Sequence, residues 1–264
     1  MKLATQDRGF FGSTYEAKLS KLQELGFEGL EIDGKWLIEK YDEIEKAVKA
    51  TGVPISSICG GYRGWIGDFD QEQRALAIQD IGAILERSAD IGAAGVVVPA
   101  AFGIFSRKLP PFVSPRPADE EREVLLDSLR KLNDYAVSSG SLLLLEPLNR
   151  YEDHMINTLE DASGLIREGN FSGVKVMADF FHMQIEEWDI SESLRKTADL
   201  VAHVHLADSN RLQPGYGHTD FKTGFRTLKD IGFTGYMAVE CELVPGDGLK
   251  AYAEMAGFLK ACMP

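Results

Sequence analysis

The chain has 264 residues, 44% of them hydrophobic and 26% charged, enough apolar material for one sizeable core. Its net charge of −13 and pI near 4.9 argue against nucleic acid, since phosphate contacts need clustered Lys and Arg. No apolar run approaches the roughly 18 residues of a membrane span, and Met1 to Arg8 lack the apolar core of a secretion signal. A cytoplasmic protein acting on small molecules is expected.

Short runs rich in Val, Ile and Leu read as buried parallel strands, and they alternate with amphipathic helical stretches. Lys2–Thr5 is a weak first strand, followed by a helix over Tyr15–Leu25 and a second strand over Gly29–Ile32. A helix over Ile38–Ala50 leads to the third strand, Ile55–Cys59, and a helix over Gln71–Ile91 to the fourth, Gly95–Val98. The pattern continues with a helix over Asp119–Ser138 and strand Leu142–Glu146, then a helix over Leu159–Arg167 and strand Val174–Ala178. A short helix near Ile190–Thr197 precedes strand Val201–Leu206. A helix over Phe221–Ile231 precedes strand Tyr236–Cys241, and Leu249–Cys262 closes the chain as a helix. Gly26, Gly52, Gly92, Gly140 and Gly232 supply the left-handed residues that end helices.

Eight β–α units in strict alternation define an α/β fold, a (β/α)8 TIM barrel, with residues 1–264 as a single domain. The rival is an open doubly wound sheet, but no GxGxxG follows the first strand. Cys59, Cys241 and Cys262 form neither a CxxC site nor a disulfide framework and read as reduced thiols. Two long connections, Gly60–Asp70 with Tyr62, Arg63 and Trp65, and Pro99–Pro117 with Phe102, Phe105, Pro110, Pro111 and Phe112, follow strand C-termini. In a barrel the active site lies at that face, so both read as a lid over a polar ligand.

The last four strands carry the chemistry. Leu142 to Leu145 run into Glu146, and Val174 to Ala178 run into Asp179. His203 and His205 lie two apart on one strand face, and Tyr236 to Val239 end in Glu240. Each acid alone would be read as a helix cap or an ion-pair partner. Three acids and an imidazole delivered to one rim, with no basic partner, would repel one another, and a cation resolves this. Oxygen donors with one imidazole suit Mn²⁺, Mg²⁺ or Co²⁺.

The sequence resembles the xylose-isomerase-like TIM barrels, and among them the ketose 3-epimerases of the D-tagatose 3-epimerase type. The motifs that carry the likeness are Leu145-Glu146-Pro147-Leu148-Asn149-Arg150-Tyr151-Glu152 and Ala178-Asp179-Phe180-Phe181-His182-Met183. His203 to Arg211, followed by Pro214-Gly215 and Gly217-His218, and Val239-Glu240-Cys241 complete the set. The His203 to Arg211 stretch is most similar to the branch acting on acidic keto-sugars, the 5-keto-L-gluconate 3-epimerase type. The resemblance implies that Glu146, Asp179, His205 and Glu240 ligate one divalent metal, Mn²⁺ before Mg²⁺ or Co²⁺. It implies that Glu152, His182 and Arg211 bind substrate, a small sugar or keto-sugar acid, and that the chain assembles as a homodimer or homotetramer.

Such a site would epimerise C3 of a ketose through an enediolate, with Glu146 and Glu240 as the acid–base pair on opposite faces. An aldose–ketose isomerase of hydroxypyruvate or inosose type using the same metal is the alternative, as is a non-catalytic sugar-binding barrel. His203 is expected one layer deeper than His205, not as a ligand.

Overall fold

The computed structural model describes residues 1–103 and 113–264. Eight parallel strands close into a barrel in chain order: β1 (Lys2–Gln6), β2 (Gly29–Ile32), β3 (Ile55–Cys59), β4 (Val96–Pro99), β5 (Leu143–Glu146), β6 (Val174–Asp179), β7 (Val201–Leu206) and β8 (Tyr236–Val239). β1 pairs with both β2 and β8, so no strand edge is left unpaired. Outside lie α1 (Tyr15–Leu25), α2 (Gly34–Glu39), α3 (Tyr41–Thr51), α4 (Gln71–Ile91) and α5 (Ala118–Ser139). The second half carries α6 (Leu159–Gly169), α7 (Phe180–Glu186), α8 (Ile190–Lys196), α9 (Phe221–Asp230) and α10 (Gly248–Cys262).

Most expected elements fall within a residue or two of their observed bounds, with three differences. The helix expected over Ile38–Ala50 is two, α2 and α3, broken at Lys40, whose backbone (φ −124°, ψ 24°) leaves helical geometry. The stretch after Asp179 is a true helix, α7, because the Asp179 side chain caps it. The last strand stops at Val239, leaving Glu240 and Cys241 beyond the ladder. Of the lid residues named from the sequence, Phe105, Pro110, Pro111 and Phe112 lie outside the described residues.

Strand periodicity explains where the polar groups sit. On β5, Leu143 and Leu145 pack outward into the main apolar core beneath the helices, whereas Leu144 joins a separate small cluster with Val97 and Met177. That second cluster fills the interior of the barrel. Two residues further along each strand the same inward face carries Glu146 on β5 and Asp179 on β6. An apolar plug therefore lies below a polar layer at the carboxyl end. No helix among the described residues is long and apolar enough to cross a membrane.

Candidate active site

Glu146 and Asp179 are the last residues of β5 and β6, His205 is the penultimate residue of β7, and Glu240 directly follows β8. Each offers one ligand atom, and the four atoms lie within 4.8 Å of one another. Asp179 divides its two oxygens between tasks. Oδ1 accepts from the backbone N–H of Phe181 (2.7 Å) and His182 (3.4 Å), capping α7. Oδ2 is buried and accepts no hydrogen bond. The cap reading and the ligand reading of this residue are thus compatible.

The His205 ring is likewise divided. Nδ1 faces the cluster, 3.2 Å from Glu240 Oε2 and 3.9 Å from Glu146 Oε1. Nε2 faces the opposite way, 2.9 and 3.0 Å from the two oxygens of Glu31 on β2. His203 lies deeper on the same face, as expected, with Nε2 3.0 Å from Glu31 Oε2 and 3.2 Å from Ser57 Oγ.

The structure also brings Glu152, His182 and Arg211 to this rim. His182 Nδ1 accepts from the Asn149 backbone N–H at 3.2 Å, with the Asn149 side-chain amide 2.8 Å away, while Nε2 lies 3.1 Å from Arg211 Nη1. Nε2 points at the acids, 3.5 Å from Asp179 Oδ2, 3.8 Å from Glu146 Oε1 and 3.9 Å from Glu152 Oε2. Arg211 Nη2 donates to Glu240 Oε2 at 2.7 Å, Nη1 lies 3.5 Å from Asp179 Oδ2, and the guanidinium stacks over Phe181 at 4.6 Å.

Arg211 corrects one expectation: the acids do have a basic partner. It is delivered by a backbone in the left-handed region (φ 63°), pinned where its N–H bonds Asp208 O and its carbonyl accepts from Glu242 N–H, both at 2.8 Å. Asp208 organises that loop by accepting from the backbone N–H of Ser209, Gly215 and Thr219.

These surroundings push the acids apart. Burial raises Glu146 well above the usual carboxylate range, and the nearby charges of Glu240 and Asp179 add to the effect despite His205. Burial would raise Glu240 too, but His205 and Arg211 outweigh it and hold that carboxyl at about 2. His205 is raised well above its ordinary value, the charges of Glu31 and Glu240 overriding burial. Burial lowers His182, keeping it neutral.

The cluster lies beside usable space. A cavity of 240 Å³ between β1, β2 and β3 is lined by Gln6, Asp7, Glu31, Asp33, Trp36 and Cys59. Gln6 Nε2 donates to Glu240 Oε1 at 2.8 Å across the barrel seam. Tyr62 packs edge-on against Trp65 and Trp65 lies tilted against Phe102, with centroids 5.7 and 6.2 Å apart, making an aromatic wall from the two long connections. Arg63, grouped with them from the sequence, instead turns outward to Asp80 (2.7 and 2.8 Å).

Sequence reading did not single out Glu31, Ser57, Gln6 or Asp208. Glu31 carried one usable signal, an acid inside the apolar strand Gly29-Leu30-Glu31-Ile32.

The donor set fits a divalent cation: three carboxylates, one imidazole nitrogen, and a buried Asp179 oxygen that accepts no hydrogen bond. Fold and site together define a (β/α)8 barrel with an acidic, histidine-containing centre at the carboxyl ends of its strands. The chain belongs to the xylose isomerase-like TIM barrel family, whose model matches residues 19–262. It is 44% identical over 262 residues to a 3-dehydro-D-guloside 4-epimerase of Escherichia coli (strain K12), covering 99% of this chain and 100% of that one. The crystal structure of a 3-keto-D-glucoside 4-epimerase from E. coli matches with a TM-score of 0.96 at 44% identity, over 99% of this chain and 100% of that one. A D-psicose 3-epimerase of Enterocloster bolteae is 29% identical over 242 residues, 88% of this chain and 78% of its own length. The chain is therefore a homologue of sugar epimerases, which are isomerases.

Proposed function

We propose that the protein is a divalent-metal-dependent epimerase that inverts the hydroxyl-bearing carbon beside the ketone of a sugar. The substrate proposed is a 3-keto-glycoside, with C4 as the carbon inverted. The observation that carries the reaction class is the convergence of Glu146, Asp179, His205 and Glu240, with an Asp179 oxygen among them that accepts no hydrogen bond. The choice of carbon rests on the 44% identity, over the whole length, to a relative named as a 4-epimerase of a 3-keto sugar. A second reading, inversion at C3 of a 2-ketose, is favoured by the 29% identity to a D-psicose 3-epimerase. The chemistry is the same with the ketone moved one carbon along the chain.

When bound, the ion, proposed as Mn²⁺, Mg²⁺ or Co²⁺, polarises the ketone and stabilises the enediolate. Glu240, held ionised, takes the proton from the carbon on one face. Glu146, whose surroundings favour its protonated form, returns a proton to the other face; the two exchange roles in the reverse direction. His182 Nε2 hydrogen-bonds a substrate hydroxyl, the Arg211 guanidinium donates to substrate oxygens, and Glu152 accepts from a hydroxyl. Arg211 is already engaged by Glu240 and Asp179, which supports a neutral substrate over a keto acid.

Proton exchange tests the reading. Protein incubated with Mn²⁺ and a 3-keto-glucoside in D₂O should place deuterium at C4. Exchange at C3 of D-psicose instead would favour the second reading, and exchange at C1 or C2 would indicate an aldose–ketose isomerase. No exchange with any of these sugars would sink the assignment.

A further inference from the structure

Glu31 is 1% exposed and sits on β2, across the barrel from the strands that bring the four cluster residues together. A carboxylate there is costly unless every lone pair is used. Its partners are Ser57 Oγ, which donates to Oε2 at 2.6 Å, His203 Nε2 at 3.0 Å, and His205 Nε2 at 2.9 and 3.0 Å. Glu31, His203 and His205 form a second group with metal-ligand potential. The group reads instead as a polar relay under the cluster.

We infer that Glu31 is a positioning residue that prepares His205 to bind the ion. The inference rests on the metal-site reading above. An ionised carboxylate only accepts hydrogen bonds, so Glu31 requires a proton on His205 Nε2. In a neutral imidazole that leaves Nδ1 bare, and Nδ1 is the nitrogen facing Glu146 and Glu240. Glu31 also holds the ring in place, with Oε2 in hydrogen-bond contact with Nε2 and Oε1 2.9 Å from it without a hydrogen bond of its own. Ser57 and His203 hold Glu31 in turn, and the His203 ring packs edge-on against His205 at 5.3 Å. Without Glu31 the Nδ1–H tautomer, which presents a proton to the ion, would gain population.

The test uses calorimetric titration of Mn²⁺ into chelator-stripped protein, with ¹⁵N spectra of the histidine rings in the Mg²⁺-loaded protein. Glu31→Gln should weaken Mn²⁺ binding about 10- to 100-fold, the usual cost of losing such an outer partner. Its His205 Nε2–H signal should move upfield from the strongly hydrogen-bonded wild-type position. Ser57→Ala disturbs the same pocket but leaves the Glu31–His205 contact, and should bind Mn²⁺ close to wild type. Wild-type affinity in Glu31→Gln, or an equal loss in Ser57→Ala, overturns the inference while leaving the metal site standing. If wild-type protein takes up no Mn²⁺, the metal-site reading fails and this inference fails with it. Should Glu31→Gln not fold, Glu31→Asp replaces it: the charge is kept one methylene short, and wild-type affinity there is equally fatal.

Discussion

Asp179→Asn separates the two tasks of one side chain. Oδ1 caps α7 through Phe181 N–H and His182 N–H, while Oδ2 has no hydrogen-bond partner. Asn caps helices about as well as Asp, so the structural loss is that of the charge: its place at the helix N-terminus, worth roughly 0.3–1 kcal/mol, and its 3.5 Å approach to Arg211. Relief of repulsion with Glu146 and Glu240 offsets part of that. For a chain of this size the change is at most about 4 °C in Tm. The proposed ligand, by contrast, loses its charge entirely. A loss of at least about 100-fold in Mn²⁺ affinity is expected, the upper end for outer partners being the lower bound for a direct one, or roughly 2.8 kcal/mol. Asp179→Ala, which also loses the cap, should be less stable than Asp179→Asn by about 1 kcal/mol. Thermal melts of stripped protein give the first quantity and calorimetry gives the second. If Asp179→Asn bound Mn²⁺ like wild type, Oδ2 would not be a ligand. If it melted as low as Asp179→Ala, Oδ1 would not be acting as the cap.

Glu146→Gln should abolish turnover yet raise the melting temperature of stripped protein at pH 7 to 8, because a carboxyl raised in the fold costs stability at any pH above its unfolded value near 4.5; a gain on the order of 1 kcal/mol corresponds to about 2–4 °C. A lower Tm would contradict the crowding described. Glu240, held at about 2 in the fold, contributes stability that is present above its unfolded value near 4.5 and lost as pH falls towards 2. Urea unfolding of stripped protein should therefore weaken between about pH 5 and 2, and Glu240→Gln should flatten that slope; an unchanged slope would show that Glu240 is not held down. Gly217→Ala would place a Cβ 2.4 Å from Asp208 Oδ1, a carboxylate pinned by three backbone N–H groups. Overpacking of about 1–3 kcal/mol and a raised KM through displacement of Arg211 are expected, measured by melts and steady-state kinetics. Wild-type values in both would mean that Asp208 does not set the Arg211 loop.

What the sequence made legible was local. Apolar runs ending in Glu146, Asp179 and Glu240 marked strand ends, because a charge terminates a buried strand only at a rim. Two-residue spacing placed His203 beneath His205. Glu31, Ser57 and Gln6 escaped because their roles exist only after closure: Gln6 meets Glu240 across 234 residues of chain, and Glu31 meets His205 across 174. Arg211 was legible as a residue but not as a countercharge, since its direction depends on a left-handed backbone that only the folded loop imposes. The break at Lys40 went unseen because Lys40 is neither Gly nor Pro, and the pattern runs through it. The loop chemistry of Asp208 needed its three converging backbone N–H groups, which no spacing rule encodes.

Arg211 gives the barrel a tenant for the place where its acids meet. Many small metalloproteins cannot fold until their ion arrives, because the ligands repel one another without it. Here one guanidinium already bridges Glu240 and Asp179, so the chain can complete its architecture first and load later. On the metal-site reading, loading would then substitute one positive tenant for another rather than form a step of folding. A displaced arginine would remain at the rim, where an incoming sugar would be the next thing it meets.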